Sequence, residues 1–169
     1  ISPRALMKRV YESAVSYTKT FSEGSDSLLF MGATGLGKTF LSGCIARAVA
    51  DKGYAVCYVS AGKLFHDFET EKFRLKEDGA LTGKYMETDL LIIDDLGTEM
   101  TTQFTVSALY QVVNGRLLSG KPTIVSTNLP DSELEARYSA QIASRLLGAY
   151  TLYQFCGTDV RLLKKMESR

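Results

Sequence analysis

The stretch that decides the fold is Gly32-Ala33-Thr34-Gly35-Leu36-Gly37-Lys38-Thr39, which fits the pattern G-x-x-x-x-G-K-[ST]. It follows an apolar run that ends at Met31 and precedes a helical pattern that begins at Phe40. The inner glycines, Gly35 and Gly37, allow a tight turn whose backbone N–H groups point at phosphate oxygens, and the start of the helix adds positive potential. In this context the pattern predicts a phosphate-binding loop between a buried strand and a helix.

Two side chains of this loop are expected to carry its chemistry. Lys38 would reach the β- and γ-phosphates of ATP, and the Thr39 hydroxyl would ligate Mg²⁺. The expected nucleotide-binding residues of this segment are Gly32, Ala33, Thr34, Gly35, Leu36, Gly37, Lys38, Thr39 and Phe40. The alternative is a glycine-rich turn with an incidental Lys-Thr pair, which the match at every fixed position disfavours.

A second motif is the apolar run Leu90-Leu91-Ile92-Ile93, which is followed directly by Asp94 and Asp95. Unpaired buried charge is costly, so two acids at the end of a buried strand favour a functional interpretation. At the carboxyl edge of a parallel sheet they would meet the phosphate loop. We expect Asp94 to hold Mg²⁺ and Asp95 to position the attacking water. Glu99 is a rival for the second role, and a simple turn before Gly97 is the structural alternative for Asp95.

Hydrophobic periodicity predicts strands that alternate with helices. The predicted strands are 27–31, 54–59, 90–93, 122–127 and 151–155. The predicted helices begin near Pro3, Phe40, Ala61, Phe104, Ser139 and Val160, and the third runs to about Glu77. Such alternation indicates βαβ units. The expected fold class is therefore α/β, a P-loop NTPase with a parallel five-stranded sheet sandwiched between helices.

Composition limits the class of protein. The chain has 169 residues, about one domain, with 45% hydrophobic and 23% charged residues, which excludes a disordered tail, a collagen and a polar linker. No apolar run reaches the ~18 residues of a membrane span. The net charge of +1 does not indicate a nucleic-acid partner, so any basic patch has to be local.

Cysteine and histidine usage excludes further chemistry. Cys44, Cys57 and Cys156 are far apart, and His66 is the only histidine, so neither zinc spacing nor a His-based triad occurs. Single cysteines in apolar stretches are typical of reduced thiols, so we expect a cytoplasmic protein without a secretion signal. The sequence starts at Ile1 and not at Met, so we expect a fragment or a trimmed chain.

Four stretches together resemble one family. They are Leu91-Ile92-Ile93-Asp94-Asp95-Leu96-Gly97, Thr123-Ile124-Val125-Ser126-Thr127-Asn128-Leu129, Ser144-Arg145-Leu146-Leu147-Gly148 and Gly157-Thr158-Asp159-Val160-Arg161. From about Ser27 to its end, the chain resembles the AAA+ domain of bacterial replicative helicase loaders of the DnaC/DnaI type, which are related to the IstB transposition helper. The combination of these stretches is much more specific than the phosphate loop alone.

This resemblance implies an ATP-hydrolysing DNA replication protein that loads the replicative helicase onto single-stranded DNA. It also implies one AAA+ domain over residues 1–169, in which 1–23 form a linker helix, and an upstream helicase-binding domain that this sequence lacks. Many AAA+ proteins have Asp-Glu where this chain has Asp94-Asp95, so slow or partner-dependent hydrolysis is expected. Three alternatives stay open: an IstB-type transposition helper, a small-molecule P-loop kinase and a binding module that does not hydrolyse ATP.

The resemblance further implies roles for three residues. Asn128 falls at the sensor-one position beside the γ-phosphate, and Arg161 falls at the sensor-two position. Arg145 matches the arginine finger that would act on the ATP of a neighbouring subunit, which implies self-assembly. The structural alternatives are a turn at Asn128, a solvated arginine at 145 and a salt bridge at 161. If Arg145 is not the finger, Arg137 and Arg116 are the substitutes.

The expected contact with single-stranded DNA has weak support in the residues themselves. Positions 61–89 hold five basic and seven acidic residues, a net charge of −2. A solvated helix face is therefore favoured over a DNA groove in this segment. The groove would be formed by Lys72, Arg74, Lys76, Phe68 and Phe73. A second weak basic candidate is the terminal set Arg161, Lys164, Lys165 and Arg169.

Overall fold

The computed structural model describes residues 2–73 and 81–157, in which helices alternate with strands. In chain order the elements are α1 (Pro3–Thr20), β1 (Leu28–Met31), α2 (Lys38–Asp51), β2 (Val56–Ser60), α3 (Ala61–Phe73), α4 (Gly83–Glu87), β3 (Leu90–Leu96), α5 (Gln103–Leu118), β4 (Thr123–Thr127), α6 (Asp131–Tyr138), α7 (Ala140–Ala149) and β5 (Thr151–Gln154). No helix in the described ranges is both long and apolar enough to cross a membrane.

The five strands form one parallel sheet in the order β2-β3-β4-β1-β5. After β1 the chain runs to the far edge at β2 and returns strand by strand, and after β4 it passes over β1 to reach β5. The loop after β1 therefore opens where the chain reverses its direction across the sheet. Ligands of parallel α/β sheets bind at such a point, outside the carboxyl ends of the strands. The predicted fold class, with five parallel strands between helices, is confirmed.

Helices cover both faces of the sheet, which explains why β1 and residues 90–93 of β3 are continuously apolar. Successive side chains of a strand point to opposite faces. On one face, α1 and α2 pack against Phe30, Ile92 and Ile124. On the other face, α3 to α7 pack against Ile93, Val125 and their neighbours. The core is thus split by the sheet into two apolar layers.

Some predicted boundaries differ from those of the structure. The sequence pattern does not predict α4 or α6, because helices of five and eight residues are too short to establish a clear periodicity. Helix α2 begins at Lys38, since the last residues of the phosphate loop already adopt helical geometry. Residues 74–77 of the predicted third helix and the predicted terminal helix from Val160 lie outside the described residues.

Strand β3 is longer than predicted, because it continues to pair with β4 beyond Ile93. The register between these two strands shifts between Ile93 and Leu96, so Asp94 and Asp95 lie in a bulge within the strand. Bulges redirect side chains and are common beside active sites. The bulge makes the two adjacent carboxylates differ in direction and in burial.

Candidate functional site

The phosphate loop adopts a backbone that requires glycine at three positions. Gly32, Gly35 and Gly37 have φ values of 150°, 82° and 97°, in the region that side chains rarely tolerate. A Cβ atom on Gly32 would lie 2.6 Å from the carbonyl oxygen of Phe155, which follows β5. The first glycine of the motif is therefore needed for a close approach of β5 as well as for the turn.

Lys38 is folded into the loop and is only 6% exposed. Its Nζ donates hydrogen bonds to the backbone carbonyl oxygens of Gly32 and Ala33, the latter at 2.7 Å. Burial lowers the pKa of this ammonium group, and the nearby charges of Asp95 and Asp94 oppose that shift. The cation therefore lies at the centre of the loop, where phosphate oxygens could replace the carbonyls as its partners.

Asp94 lies near the carboxyl end of β3, 5% exposed, and three hydroxyl groups hold its carboxylate. Thr39 Oγ1 donates to Oδ2 at 2.9 Å, Tyr58 OH donates to the same oxygen at 2.7 Å, and Ser126 Oγ donates to Oδ1. A hydroxyl and a carboxylate in contact are the oxygen ligands that Mg²⁺ prefers. Thr39 and Asp94, the two residues expected to hold the metal, are thus brought together and fit it.

Tyr58 and Ser126 belong to this site, and sequence reasoning missed them. Each extends from a strand that flanks β3, Tyr58 from β2 and Ser126 from β4. Burial and the hydrogen bond to Asp94 raise the pKa of Tyr58, so it stays a hydrogen-bond donor at neutral pH. The signal that could have drawn attention to Ser126 is a hydroxyl side chain directly after Ile124-Val125, near the carboxyl end of the strand, where ligands of parallel sheets bind.

Asp95 lies in the β3 bulge with φ 57°, a value that non-glycine residues adopt at a cost. Its N–H donates to Ser126 Oγ at 3.1 Å, while its side chain is exposed and lines the cavity in front of the loop. Although the side chain is exposed at the cavity, it is partly desolvated by its surroundings; this desolvation and the charge of Asp94 raise the pKa of Asp95, and the charge of Lys38 opposes the shift. A carboxylate with a raised pKa is a better proton acceptor, as a water-positioning base requires.

A cavity of about 880 Å³ lies in front of the phosphate loop. Asn128, which follows β4, lines it, and its Nδ2 lies 3.4 Å from Thr34 Oγ1. The structure therefore brings the expected sensor-one residue to the loop. Phe40, 75% exposed, also lines this cavity, as the predicted set of nucleotide-binding residues requires.

An apolar part of the cavity lining comes from segments that sequence reasoning did not assign to the site. Met7, Val10 and Tyr11 of α1 and Phe155 after β5 form this part of the lining. Apolar and aromatic walls with few polar groups are typical of sites for flat ligands such as a purine base. Helix α1 is therefore part of the candidate site and not merely a linker. The available signal in the sequence was an aromatic residue, Tyr11, directly beside the apolar stripe of this helix, and in the structure it is 61% exposed.

Glu99, the rival to Asp95, is engaged elsewhere. Its Oε2 accepts from Gly97 N–H at 2.9 Å, and its Oε1 accepts from the hydroxyl of Tyr138 in α6. Glu99 does not line the cavity, whereas Asp95 does. The geometry therefore favours Asp95 for the role beside the phosphates.

Besides Arg145, the sequence suggested roles at an ATP site for Arg116, Arg137 and Arg161. Arg116 is fully buried and donates to the Thr123 hydroxyl and to backbone carbonyls, so its proposed use as a substitute finger is wrong. Arg137 donates to Thr101 Oγ1 and to the carbonyl oxygen of Glu99, which ties it to its own chain. Arg161 lies outside the described residues.

The basic groove around α3 does not form as described from the sequence. Phe68 is buried in the core against Tyr85, so it is not available to stack on a base, and its inclusion was wrong. The Lys72 ammonium lies 5.5 Å from the ring centre of Phe73 and 5.0 Å from that of Phe104. The remaining members of the two basic candidates, Arg74, Lys76, Arg161, Lys164, Lys165 and Arg169, lie outside the described residues.

The parallel sheet, the glycine-rich loop and the hydroxyl–carboxylate pair define an AAA+ P-loop ATP-binding domain. The family described as "IstB-like ATP binding protein" matches residues 7–156. The chain therefore belongs to this family, which is related both to DnaC/DnaI helicase loaders and to IstB proteins of insertion sequences.

Relatives of both kinds are similar to this chain at comparable identity. The insertion sequence IS5376 putative ATP-binding protein of Geobacillus stearothermophilus is 26% identical over 156 residues, 88% of this chain and 60% of that protein. The replicative helicase loader DnaC of Escherichia coli K12 is 24% identical over 135 residues, 79% of this chain and 55% of that protein. The chain thus spans little more than half the length of these curated relatives.

Solved structures support the same fold. The crystal structure of the DnaC helicase loader superposes with a TM-score of 0.81 at 19% identity, covering 89% of this chain and 90% of that one. AMPPCP-bound DnaA from Aquifex aeolicus superposes with a TM-score of 0.75 at 20% identity, covering 94% of this chain and 48% of that one.

Proposed function

We propose that this domain binds ATP together with Mg²⁺ and hydrolyses it to ADP and phosphate. The observation that carries the proposal is the contact of Thr39 with Asp94 at 2.9 Å, beside the buried ammonium of Lys38. These groups supply the metal ligands and the phosphate-binding cation of a P-loop site. A bound magnesium ion would neutralise charge on the phosphates and orient them for in-line attack.

The residues of this chain divide the work of hydrolysis. Lys38 and the backbone N–H groups of the loop hold the phosphates, and the Thr39–Asp94 pair holds the metal. Asp95 accepts a hydrogen bond from the attacking water and takes up its proton. Asn128, which lines the same cavity, orients the water or the γ-phosphate, and Arg161 is proposed to contact the γ-phosphate. The apolar wall of α1 and Phe155 receives the adenine base.

Product analysis separates hydrolysis from two alternatives, a kinase and a binding module that does not hydrolyse ATP. Incubation with ATP and Mg²⁺ should yield ADP and inorganic phosphate in equal amounts, and EDTA should abolish the reaction. A phosphorylated small molecule in place of free phosphate would favour a kinase. Tight ATP binding without ADP at any protein concentration would favour a binding module that does not hydrolyse.

We further propose that the ATPase serves to load a replicative helicase onto single-stranded DNA. The match to DnaC over 79% of the chain and the four stretches that resemble helicase loaders support this role. ATP would act as a switch for contacts between subunits and with DNA, within one AAA+ domain that spans residues 1–169. Contacts with the helicase are proposed to lie in a separate domain outside these residues.

A transposition helper is the second candidate, because the insertion-sequence protein of Geobacillus stearothermophilus matches a larger share of the chain. A pull-down with the full-length protein tests both roles, using the replicative helicase and any transposase encoded in the same genome as bait. Retention by the helicase alone is expected. Retention by the transposase alone would overturn the loading role and support the second candidate.

A further inference from the structure

Arg145 lies in the middle of α7, half-buried, and its guanidinium rests against α5. Its Nε donates a hydrogen bond to Asn114 Oδ1 at 2.9 Å. Its guanidinium carbon lies 5.1 Å from the ring centre of Tyr110, close enough for a cation–π interaction. The side chain therefore has a defined position on the surface, set by two residues of the neighbouring helix.

Tyr110 and Asn114 are four residues apart in α5, so they lie on the same side of that helix. The Tyr110 ring lies against the guanidinium group, and the Asn114 side chain accepts the hydrogen bond from its Nε. The other two nitrogens make only long contacts, Nη1 with the Gln141 carbonyl oxygen and Nη2 with the Tyr110 hydroxyl, both at 3.4 Å. The pair of Nη groups that can bind phosphate oxygens in a bidentate manner is thus lightly engaged.

The partners of Arg145 are neutral. An amide and a phenol orient the guanidinium without cancelling its charge, which a carboxylate would do. Within the described residues, the ion pairs are Lys8–Glu12 and Lys63–Asp67, and neither involves Arg145. Arg145 also does not line the nucleotide cavity of its own chain. The Arg145 guanidinium is therefore already oriented before any anion binds to it. An anion that pairs with it has to come from outside the nucleotide cavity of the same chain.

We propose that Tyr110 and Asn114 are positioning residues that hold Arg145 ready to contact the ATP phosphates of a neighbouring copy of this chain. The inference rests on the proposed ATPase function and on Arg145 as the arginine finger. A free arginine side chain loses rotamer freedom when it is fixed in one geometry. Because α5 has already fixed it, assembly of the composite site would not carry that cost, and small displacements of a catalytic group can lower turnover by large factors.

Mixtures of two inactive variants of the full chain test the proposal. Lys38→Ala has a ruined phosphate loop but an intact finger, and it serves as donor. Arg145→Ala has an intact loop but no finger, and it serves as acceptor. Mixing the two should restore a fraction of the ATPase activity at interfaces where the donor's finger meets the acceptor's site. Sedimentation confirms that the two variants co-assemble.

Asn114→Leu or Tyr110→Leu is then introduced into the donor variant in one mixture and into the acceptor variant in another. In the donor, either substitution should lower the recovered activity about tenfold or more, because the finger is no longer held. In the acceptor, the same substitution should leave recovery within about twofold, since the acceptor contributes no finger. General damage to α5 would lower recovery in both roles, so equal losses would overturn the proposal.

Two matched substitutions sharpen the comparison. Gln111→Ala removes another amide, from an exposed position of α5 that does not hydrogen-bond Arg145, and recovery should be unchanged in the donor. Tyr110→Phe keeps the ring and removes only the hydroxyl with the 3.4 Å contact, so the donor should retain most of its effect. A loss as large as that of Tyr110→Leu would contradict a role for the ring face.

The failure of this inference is distinguishable from that of the proposed function. If donor and acceptor co-sediment but their mixture shows no recovery while the parent chain hydrolyses ATP, Arg145 does not act in trans and the inference fails while the ATPase function stands. A parent chain that releases no phosphate from ATP at any concentration would instead overturn the proposed function itself. If the simple mixture recovers activity and the Asn114→Leu and Tyr110→Leu donors recover it equally well, the ATPase function stands and only the positioning role is overturned.

Discussion

At the scale of single residues, the site depends on two adjacent carboxylates that have different surroundings. Asp94 is buried and held by hydroxyls from three elements, while Asp95 is exposed at the cavity in a left-handed conformation. The first is fixed as a ligand, and the second is free to meet water. Substitutions at these positions should therefore have different consequences.

Asp95→Asn should slow ATP hydrolysis by about 10²–10⁴-fold and leave ATP·Mg²⁺ binding nearly unchanged, because only the water-positioning group is lost. Turnover and binding are measured separately, by phosphate release and by calorimetry. Asp94→Asn is the matched comparison and should instead weaken the dependence of binding on Mg²⁺. Normal turnover in Asp95→Asn would exclude it as the base.

Asp95→Asn should not lower the thermal stability of the protein at neutral pH. Folding raises the pKa of Asp95. The contribution of this carboxyl group to folding stability is therefore fully present below its unfolded pKa of about 3.9 and is lost as the pH rises through its folded pKa. At pH 7 the charged form therefore opposes folding, and asparagine removes this effect. The melting temperature of nucleotide-free Asp95→Asn should equal or exceed that of the parent at pH 7, and the difference should shrink toward pH 4. A lower melting temperature for the variant at pH 7 would contradict the pKa direction.

At the scale of elements, Arg116 joins three of them. From α5 its guanidinium donates to carbonyl oxygens of Tyr85 and Thr88 around the end of α4, and to Pro122 and Thr123 at the start of β4. Burial lowers the pKa of Arg116 to about 10, which still leaves it charged at pH 7. One cation thus satisfies several backbone oxygens that the helix end and strand start leave without partners.

Arg116→Met should lower the free energy of unfolding by about 2–5 kcal/mol, because buried carbonyl oxygens lose their donors and the packing is disturbed. Urea denaturation measures this change. Arg47→Ala, at an exposed position of α2, is the control and should stay within about 0.5 kcal/mol of the parent. Equal small effects in both variants would mean that the carbonyls find other partners.

Glu99 links the segment after β3 to α6, and its substitution decides between two candidate bases. A glutamine cannot accept at both side-chain positions, so Glu99→Gln should lose one of the bonds to Gly97 and Tyr138. We expect a loss of about 1–3 kcal/mol in stability with turnover within about threefold of the parent. Turnover that collapses in Glu99→Gln while Asp95→Asn stays active would reverse the assignment.

At the scale of the whole molecule, the described residues that line the nucleotide cavity include the phosphate loop but no arginine. An arginine finger can contribute ~10³–10⁵-fold to turnover. The specific ATPase activity should therefore rise with protein concentration. Arg145→Ala should bind ATP like the parent and lose that rise. Activity per molecule that is constant over a wide concentration range would indicate a self-contained enzyme.

Local sequence determined the phosphate loop, the five strands and the acidic end of β3. These features are encoded in adjacent residues: glycines at fixed spacing, an apolar run and the carboxylates that end it. The predicted fold class and the meeting of Thr39 with Asp94 follow from them, because parallel strands bring their carboxyl ends to one edge.

Only the tertiary structure decided which distant residues complete the site. Tyr58 and Ser126 reach Asp94 because the strand order places β2 and β4 beside β3, which no local pattern encodes. The bulge in β3 determines that Asp94 points inward while Asp95 faces the cavity. Likewise, the packing of α1 brings Tyr11 into the nucleotide cavity. Side-chain direction and burial depend on contacts between segments far apart in the chain, so they appear only once the sheet and its helices are assembled.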